Sequence, residues 1–384
     1  MPRHPDFVPH IDALPGASYS RLAHTLATHD GEVYPLHIGD TWMEPALGCR
    51  MQDLTVDKYP GMHRYSSTRG HPALVSALVA REQKNTGLAT TPADVLPVAG
   101  ATAGLTALMA TIISPGDEVL LLAPYWPLMS NAVRTMGGVP IPVPFIDVAS
   151  DPESAVAIVE ALRTDRTTAI YWNTPNNPTG RVIPESWLRA LAGWAKKHSL
   201  WIVADEVYEH YTYSQEQHLY SRALAPEHTI SAHSFSKAYG MAGNRCGYLA
   251  GPAKVMDAVH KVTRCTVYSV PTASQLAAAH ALSGPGDTWA AAAAKLYAAA
   301  GRAAAERLNV APPEGSTFLF FDIAEHLDDR GLRGFLKDCA SDGLLVAPGS
   351  SFGPYPTHIR VCFTAVAPDV TARGIEVLAR RLGR

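Results

Sequence analysis

"TAIYWNTPNNPTGRVIPESWLRALAGWAKKHSLWIVADEVYEHY", residues 168 to 211, holds two short runs of branched and aromatic residues, "TAIYW" (168 to 172) and "WIVAD" (201 to 205). Runs of this length and composition suit strands buried on both faces. Between them Trp187, Leu188, Leu191, Trp194 and Ala195 recur at helical spacing. A strand, a helix and a second strand in this order imply a parallel sheet. Each strand runs straight into a polar segment, "NTPNNPTGR" (173 to 181) and "ADEVYEHY" (204 to 211). Open parallel sheets bind ligands just beyond the carboxyl ends of their strands, so these two segments are the first candidates for a site.

Further strand-like runs flank this unit: "EVLLLAP" (118 to 124), "TISAHSF" (229 to 235) and "CGYLAG" (246 to 251). Leu105, Leu108, Met109 and Ile112 mark an amphipathic helix after "VAGAT". The order changes at the turn-rich "SGPGD" (283 to 287). An Ala-rich helix, a strand "TFLFFDI" (317 to 323), a helix to about 340 and strands "LLVAP" and "HIRVCF" follow, then a last helix with Ile375, Leu378, Ala379 and Leu382 on one face. The expectation is an α/β protein with a large, mostly parallel-sheet domain over 50–282 and a smaller α+β domain made of 1–49 and 283–384.

The whole chain has 384 residues, 47% of them hydrophobic, enough for a large core and more than one lobe. A formal net charge of −3 gives no polyanion-binding surface, so no nucleic-acid partner is expected. "MPRHPDFVPH" has no apolar stretch behind it and does not read as a signal peptide, and "VAGATAGLTALMATIIS" (98 to 114) is too broken for a membrane span. The five cysteines are scattered without C-x-x-C spacing, which fits reduced thiols of a cytoplasmic protein and no metal site.

A third strand-end segment, "SFSKAYGMAGNRCGY" (234 to 248), sets Lys237 among small residues with Arg245 eight positions on. Taken together, the strand-end residues suit one cofactor, pyridoxal 5'-phosphate. Its sites use a lysine that bonds to the aldehyde and an acidic partner for the ring nitrogen. Lys237 is the candidate amine, and Asp205 the partner of the nitrogen. Asn177 and Tyr208 are placed to meet the phenolic oxygen, and Trp126 to cover a ring face. Gly100, Ala101 and Thr102, which open a helix, would meet the phosphate with Ser234, Ser236 and Arg245. Singly, each has a plainer reading: an ordinary turn, a core tryptophan, a solvated lysine.

"NNPTG", "DEVY" and "SFSKAYGMAGNRCGY", with "VAGATAGL", "APYW", "PPEGSTFLFFDI", "APGSSFG" and "IRVCF", resemble the class I/II aminotransferases, fold type I of the pyridoxal-phosphate enzymes. The resemblance runs from about residue 36 to 363, and the ordered spacing carries it: 28 residues from Asn177 to Asp205, three from Asp205 to Tyr208, three from Ser234 to Lys237 and eight from Lys237 to Arg245. By motif it implies that Arg360 binds the substrate α-carboxylate, with Gly39 and Asn177 beside it. It also implies that Tyr65 reaches the phosphate in a neighbouring subunit, so that a homodimer completes the sites. "IGDTW", "APYWPLM" and Val75 after Leu74 depart from the family pattern.

The resemblance implies amino transfer between an L-amino acid and a 2-oxo acid in a ping-pong cycle, with Lys237 as the proton carrier. A lyase or synthase on the same fold is the alternative. A transcription regulator is not expected: the roughly 35 residues before the first motif are too few for a helix-turn-helix and are not basic. In some aspartate-specific members an arginine before a Tyr-Ser-Asn-Pro-Pro stretch binds the distal carboxylate. Arg264 precedes Tyr268-Ser269-Val270-Pro271 with one extra residue, a rotation of about 100° on a helix. Neutral or aromatic donors are therefore expected, with Trp42 and Trp126 lining an apolar pocket.

Overall fold

The structure, a computed structural model, describes residues 29–213 and 218–384, together with 9–12, 14 and 26. The main sheet has seven strands: β1 (Val95–Val98), β2 (Glu118–Ala123), β3 (Val139–Pro144), β4 (Thr167–Asn173), β5 (Trp201–Asp205), β6 (Thr229–Ser234) and β7 (Gly247–Ala250). Their spatial order is β1-β7-β6-β5-β4-β2-β3. The pairs β2–β3, β2–β4, β4–β5 and β5–β6 are parallel, and β7 is antiparallel to both β6 and β1. Six strands therefore end on one edge, and β7 begins there. That reversal places Arg245, two residues before β7, on the same edge as the residues that follow β4, β5 and β6.

β1 and β3 do not stand out in the sequence because prolines interrupt them. Both are edge strands, where proline is tolerated. In β3, Pro140, Pro142 and Pro144 pair with Val119, Leu121 and Ala123 of β2. Alternate residues of a parallel strand direct their backbone groups to opposite sides, so all three missing N–H groups fall on the outer side, where no strand follows. The same prolines blunt an edge that would otherwise template a further chain.

The two faces of the sheet bury separate cores. Ala169, Tyr171 and Val203 lie with helix Gly100–Ile112 on one face, and Ile170, Trp172 and Ile202 lie with helix Glu185–Lys197 on the other. The helix predicted between "TAIYW" and "WIVAD" is thus present, buried through Leu188, Leu191, Trp194 and Ala195.

β8 (Phe318–Asp322), β9 (Ala347–Pro348) and β10 (His358–Cys362) form a second, antiparallel sheet in the order β8-β10-β9. "LLVAP" contributes only its last two residues to that sheet; Leu344 instead makes an isolated bridge to Tyr34. The 23-residue helix Pro285–Arg307 spans two cores, with Ala290 packed beside Tyr239 and Ala293 to Ala305 beside Phe318 and Phe363. Tyr208 and Tyr211, which follow β5, belong to the core of the smaller sheet, so the main sheet and the smaller one meet at the strand-end edge. Among the described residues no helix is long and apolar enough to cross a membrane, and the five cysteines are free.

Candidate active site

A cavity of about 270 Å³ opens at that edge and brings Asp205, Asn177, Tyr208, Lys237 and Arg360 into one lining. Asp205 ends β5, paired in register with Asn173 at the end of β4. It is 3% exposed. Tyr171 donates its hydroxyl to Asp205 Oδ2 at 2.7 Å, and the Val207 N–H reaches Oδ1 at 3.4 Å. Neither donor is a cation, so desolvation dominates and pushes the Asp205 carboxyl up to about 6. Burial also drives the Tyr208 phenol upward; its ring packs edge-on to Phe318, 5.7 Å between centroids.

Asn173 organises the neighbouring turn. Its amide donates to the Asp205 carbonyl at 2.8 Å, and its Oδ1 accepts from the Asn177 N–H at 2.6 Å. Within the turn, Asn176 Oδ1 accepts from the N–H and the hydroxyl of Thr179. Asn177 Oδ1 accepts from Arg360 Nη1 at 2.9 Å, which leaves the Asn177 NH2 as a donor at the cavity.

The opposite wall is built to meet an anion. Helix Gly100–Ile112 starts there with Ala101 and Thr102 in the lining, and its first N–H groups and dipole favour negative charge. Ser234 ends β6 and caps the short helix Phe235–Ala238, its hydroxyl accepting from the Ser236 N–H at 3.0 Å. Arg245 adopts a left-handed backbone, φ 49°, and its Nη1 donates to the Ala242 carbonyl at 2.8 Å. Gly100 has φ +80°, and a Cβ there would lie 2.4 Å from Arg245 Nη2. Only glycine lets that guanidinium lie against the helix start.

Lys237 stands between these walls. Its Nζ donates to the Gly39 carbonyl and lies 3.7 Å from Asp40 Oδ1. Burial lowers its pKa, which suits an amine that must shed a proton. Arg360, on β10, donates from Nη2 to the His37 carbonyl at 2.5 Å. Its guanidinium lies over the rings of Phe318 and Phe352, 4.3 and 4.8 Å from their centroids. The rings fix the plane of the fork, the arrangement that suits bidentate capture of a carboxylate. Trp126, half-buried, lines the same cavity as Gly39.

Twelve of the sequence-selected residues line the cavity: Gly39, Ala101, Thr102, Trp126, Asn177, Asp205, Tyr208, Ser234, Ser236, Lys237, Arg245 and Arg360. Gly100 supports it through Arg245. Tyr65 lies apart, 89% exposed, its ring 5.1 Å from that of Tyr268. Trp42 is 37% exposed and is not among the residues lining the cavity. Arg264 is exposed on helix Ala253–Thr266, also away from the lining. Tyr171, Asn173 and His37 were missed. Tyr171 and Asn173 share a face of β4, so the two-residue period was the available signal, but a tyrosine inside an apolar run reads as core.

A mostly parallel α/β sheet thus gathers a lysine, a buried carboxylate, two arginines and a helix N-terminus around one cavity at its strand ends. The sequence family described as aminotransferase class I and II matches residues 48–382. The chain is 32% identical over 342 residues to the aspartate/prephenate aminotransferase of Thermus thermophilus, covering 84% of each. Its fold is similar to that of the Thermus thermophilus aspartate aminotransferase solved with maleate (TM-score 0.89, 27% identity, 98% of this chain and 100% of that one). It is also similar to the aromatic aminotransferase of Pyrococcus horikoshii (TM-score 0.84, 26% identity, 94% and 98%). This chain belongs to the class I and II aminotransferases, and its architecture is the fold type I arrangement of aspartate aminotransferase.

Proposed function

We propose that this aminotransferase uses pyridoxal 5'-phosphate to move the amino group of a neutral or aromatic L-amino acid to a 2-oxo acid by a ping-pong mechanism. The observation that carries the cofactor is Asp205: a buried carboxylate, its neighbours uncharged donors, facing the same cavity as Lys237 and the Gly100–Arg245 cradle. A protonated pyridine nitrogen is the cation that would offset the cost of its buried charge. When bound, pyridoxal phosphate supplies an aldehyde for the amine and an electron sink for the bond-breaking step. Lys237 would hold it, Asn177 and Tyr208 would meet its phenolic oxygen, and Ser234, Ser236, Arg245 and the N–H groups of Ala101 and Thr102 its phosphate.

Arg360 orients the substrate through its α-carboxylate. Lys237, its pKa lowered by burial, is the group that would accept the substrate Cα proton and hold it for return. The smaller sheet supplies Arg360 to the cavity and backs it with Phe318 and Phe352.

The relatives' names include aspartate and prephenate, acids with a second carboxylate. In this chain the cations lining the cavity are Lys237, Arg245 and Arg360, each with another task, and Asp40 adds negative charge beside Lys237. Arg264 is exposed and is not among the residues lining the cavity. We take the homodimer to be the working unit: Tyr65, Val267 and Tyr268 are exposed together on one surface, as a residue offered to a neighbour's phosphate would be. The cytoplasm is the compartment we assign.

The test is a half-reaction. Amino acid alone should convert the bound cofactor to its amine form and release one equivalent of 2-oxo acid; release of ammonia and an olefin-derived product would assign a lyase instead. A panel of phenylalanine, methionine, aspartate and glutamate should show the highest kcat/KM for the first two. Selective loss of an aspartate preference in Arg264→Ala would make the enzyme dicarboxylate-specific.

A further inference from the structure

Behind the cavity, on the far side of the strands that carry it, lies a buried ionic cluster that the reaction does not use. Asp205 and Tyr208 face the cavity; their sequence neighbours Glu206 and Glu209 are 0% and 6% exposed and turn the other way. Ser234 faces the cavity; its neighbour His233 is 1% exposed and meets those glutamates. His233 Nδ1 lies 3.3 Å from Glu209 Oε1, and Nε2 lies 3.7 Å from Glu206 Oε2 and 3.7 Å from Glu82 Oε1. Among the described residues it is the one basic group within ion-pair distance of all three carboxylates.

The arginines do not balance these acids. Arg81 pairs with Glu209 at 3.1 Å and Arg222 with Glu82 at 3.2 Å, two cations against three carboxylates. Glu206 accepts from the Ser221 N–H at 2.7 Å and has His218 at 3.7 Å. His233 Nε2 also lies 2.9 Å from the Ser231 hydroxyl, and its other neighbours are Tyr248, whose ring stacks on the imidazole at 4.5 Å and whose hydroxyl donates to Glu82, and Tyr220. On the rim, His210 bonds Arg81 and Tyr239, and Asp287 lies 3.8 Å from Arg81. An unbalanced charge in such a place costs several kcal/mol after relaxation; His218 reaches Glu206 alone, so His233, within reach of all three carboxylates, is the group placed to carry the third positive charge.

We propose that His233 is a positioning residue: a buried imidazolium that, with Arg81 and Arg222, balances Glu82, Glu206 and Glu209 and so locks the end of β5 to the end of β6, setting the spacing of Asp205, Tyr208, Ser234 and Lys237. The carboxylates outweigh the cost of burial and hold its pKa up at about 9. His233 also acts on the charge of Asp205, whose acidity it increases. The role in catalysis rests on the reading of the cavity as a pyridoxal-phosphate site; the charge state does not.

Two measurements separate the two. Imidazole nitrogen NMR of the cofactor-free wild type should show His233 doubly protonated at pH 7.5. A neutral His233 there overturns the proposal whatever the cavity binds. His233→Gln should then lose pyridoxal-phosphate affinity by about tenfold or more, the scale of one pKa unit of altered electrostatics. The double variant His233→Gln/Glu206→Gln restores the charge count and should recover most of that affinity and the wild-type pH dependence of binding. Equal affinity of His233→Gln and wild type, or no recovery in the folded double variant, overturns the positioning role. Failure of wild type itself to bind the cofactor would sink the cavity assignment and leave the NMR result standing.

Discussion

Replacing Asp205 with Asn should stabilise the cofactor-free protein while destroying its use of the cofactor. The Asp205 carboxyl has its pKa raised from 3.8 to about 6 by burial. Between those two values the folded state keeps a proton that the unfolded chain has released, so stability falls as pH rises from 3.8 to about 6 and is level above. The loss at pH 8 is about 2 units at 1.36 kcal/mol each, roughly 3 kcal/mol, and at pH 5 about half of that. Asn carries no charge and can still accept from the Tyr171 hydroxyl, so Asp205→Asn should recover roughly 3 kcal/mol at pH 8 and about half of that at pH 5. Urea unfolding of both proteins without cofactor, at the two pH values, measures this directly. Excess pyridoxal phosphate should reverse the order, because a ligand that binds only the folded state stabilises wild type by mass action. An Asp205→Asn protein no more stable than wild type at pH 8, or one whose gain is the same at pH 5, would refute the account of Asp205 as a buried acid awaiting a cation.

Lys237→Ala should abolish the borohydride-stable attachment of pyridoxal phosphate, and mapping of the label to another lysine would sink the assignment. Arg360→Ala should raise KM by roughly 100-fold or more for every amino acid, since it strands groups arranged around a buried charge; an increase confined to one substrate would show that Arg360 reads side chains. Gly100→Ala places a methyl group against the Arg245 guanidinium in a left-handed backbone. It should cost about 1–3 kcal/mol in the cofactor-free protein and weaken phosphate binding, and a variant with wild-type cofactor affinity would remove Gly100 from the cradle. Wild-type stability should also decline as pH rises through about 9: the folded-state pKa of His233 lies above its ordinary 6.5, so its contribution is complete below that value and is lost above about 9. His233→Gln should lack that decline in a pH series of thermal melts.

The parts whose signals are local could be read along the chain. β4 and β5 were legible because both faces of each are buried, which makes an unbroken apolar run, and helix Glu185–Lys197 because only one face is. Lys237, Asp205, Asn177 and Arg360 could be chosen because each departs from its surroundings: charged or polar groups at the ends of apolar strands. Only the tertiary structure decided what each of them touches. Arg360 meets Asn177 from 183 positions away and the His37 carbonyl from 323, through the packing of the smaller sheet on the strand ends. Arg245 joins the cradle because β7 runs against its neighbours, a direction that no residue pattern in "CGYLAG" specifies. The prolines of β3 look like strand breakers until the strand is found at an edge with nothing beyond it. Glu82, Glu206, Glu209 and His233 are scattered polar residues along the chain, and their shared charge exists only because a helix and the ends of two strands are folded against one another. Local periodicity records which face is buried; it does not record which distant group waits on that face, because packing, not spacing, pairs them.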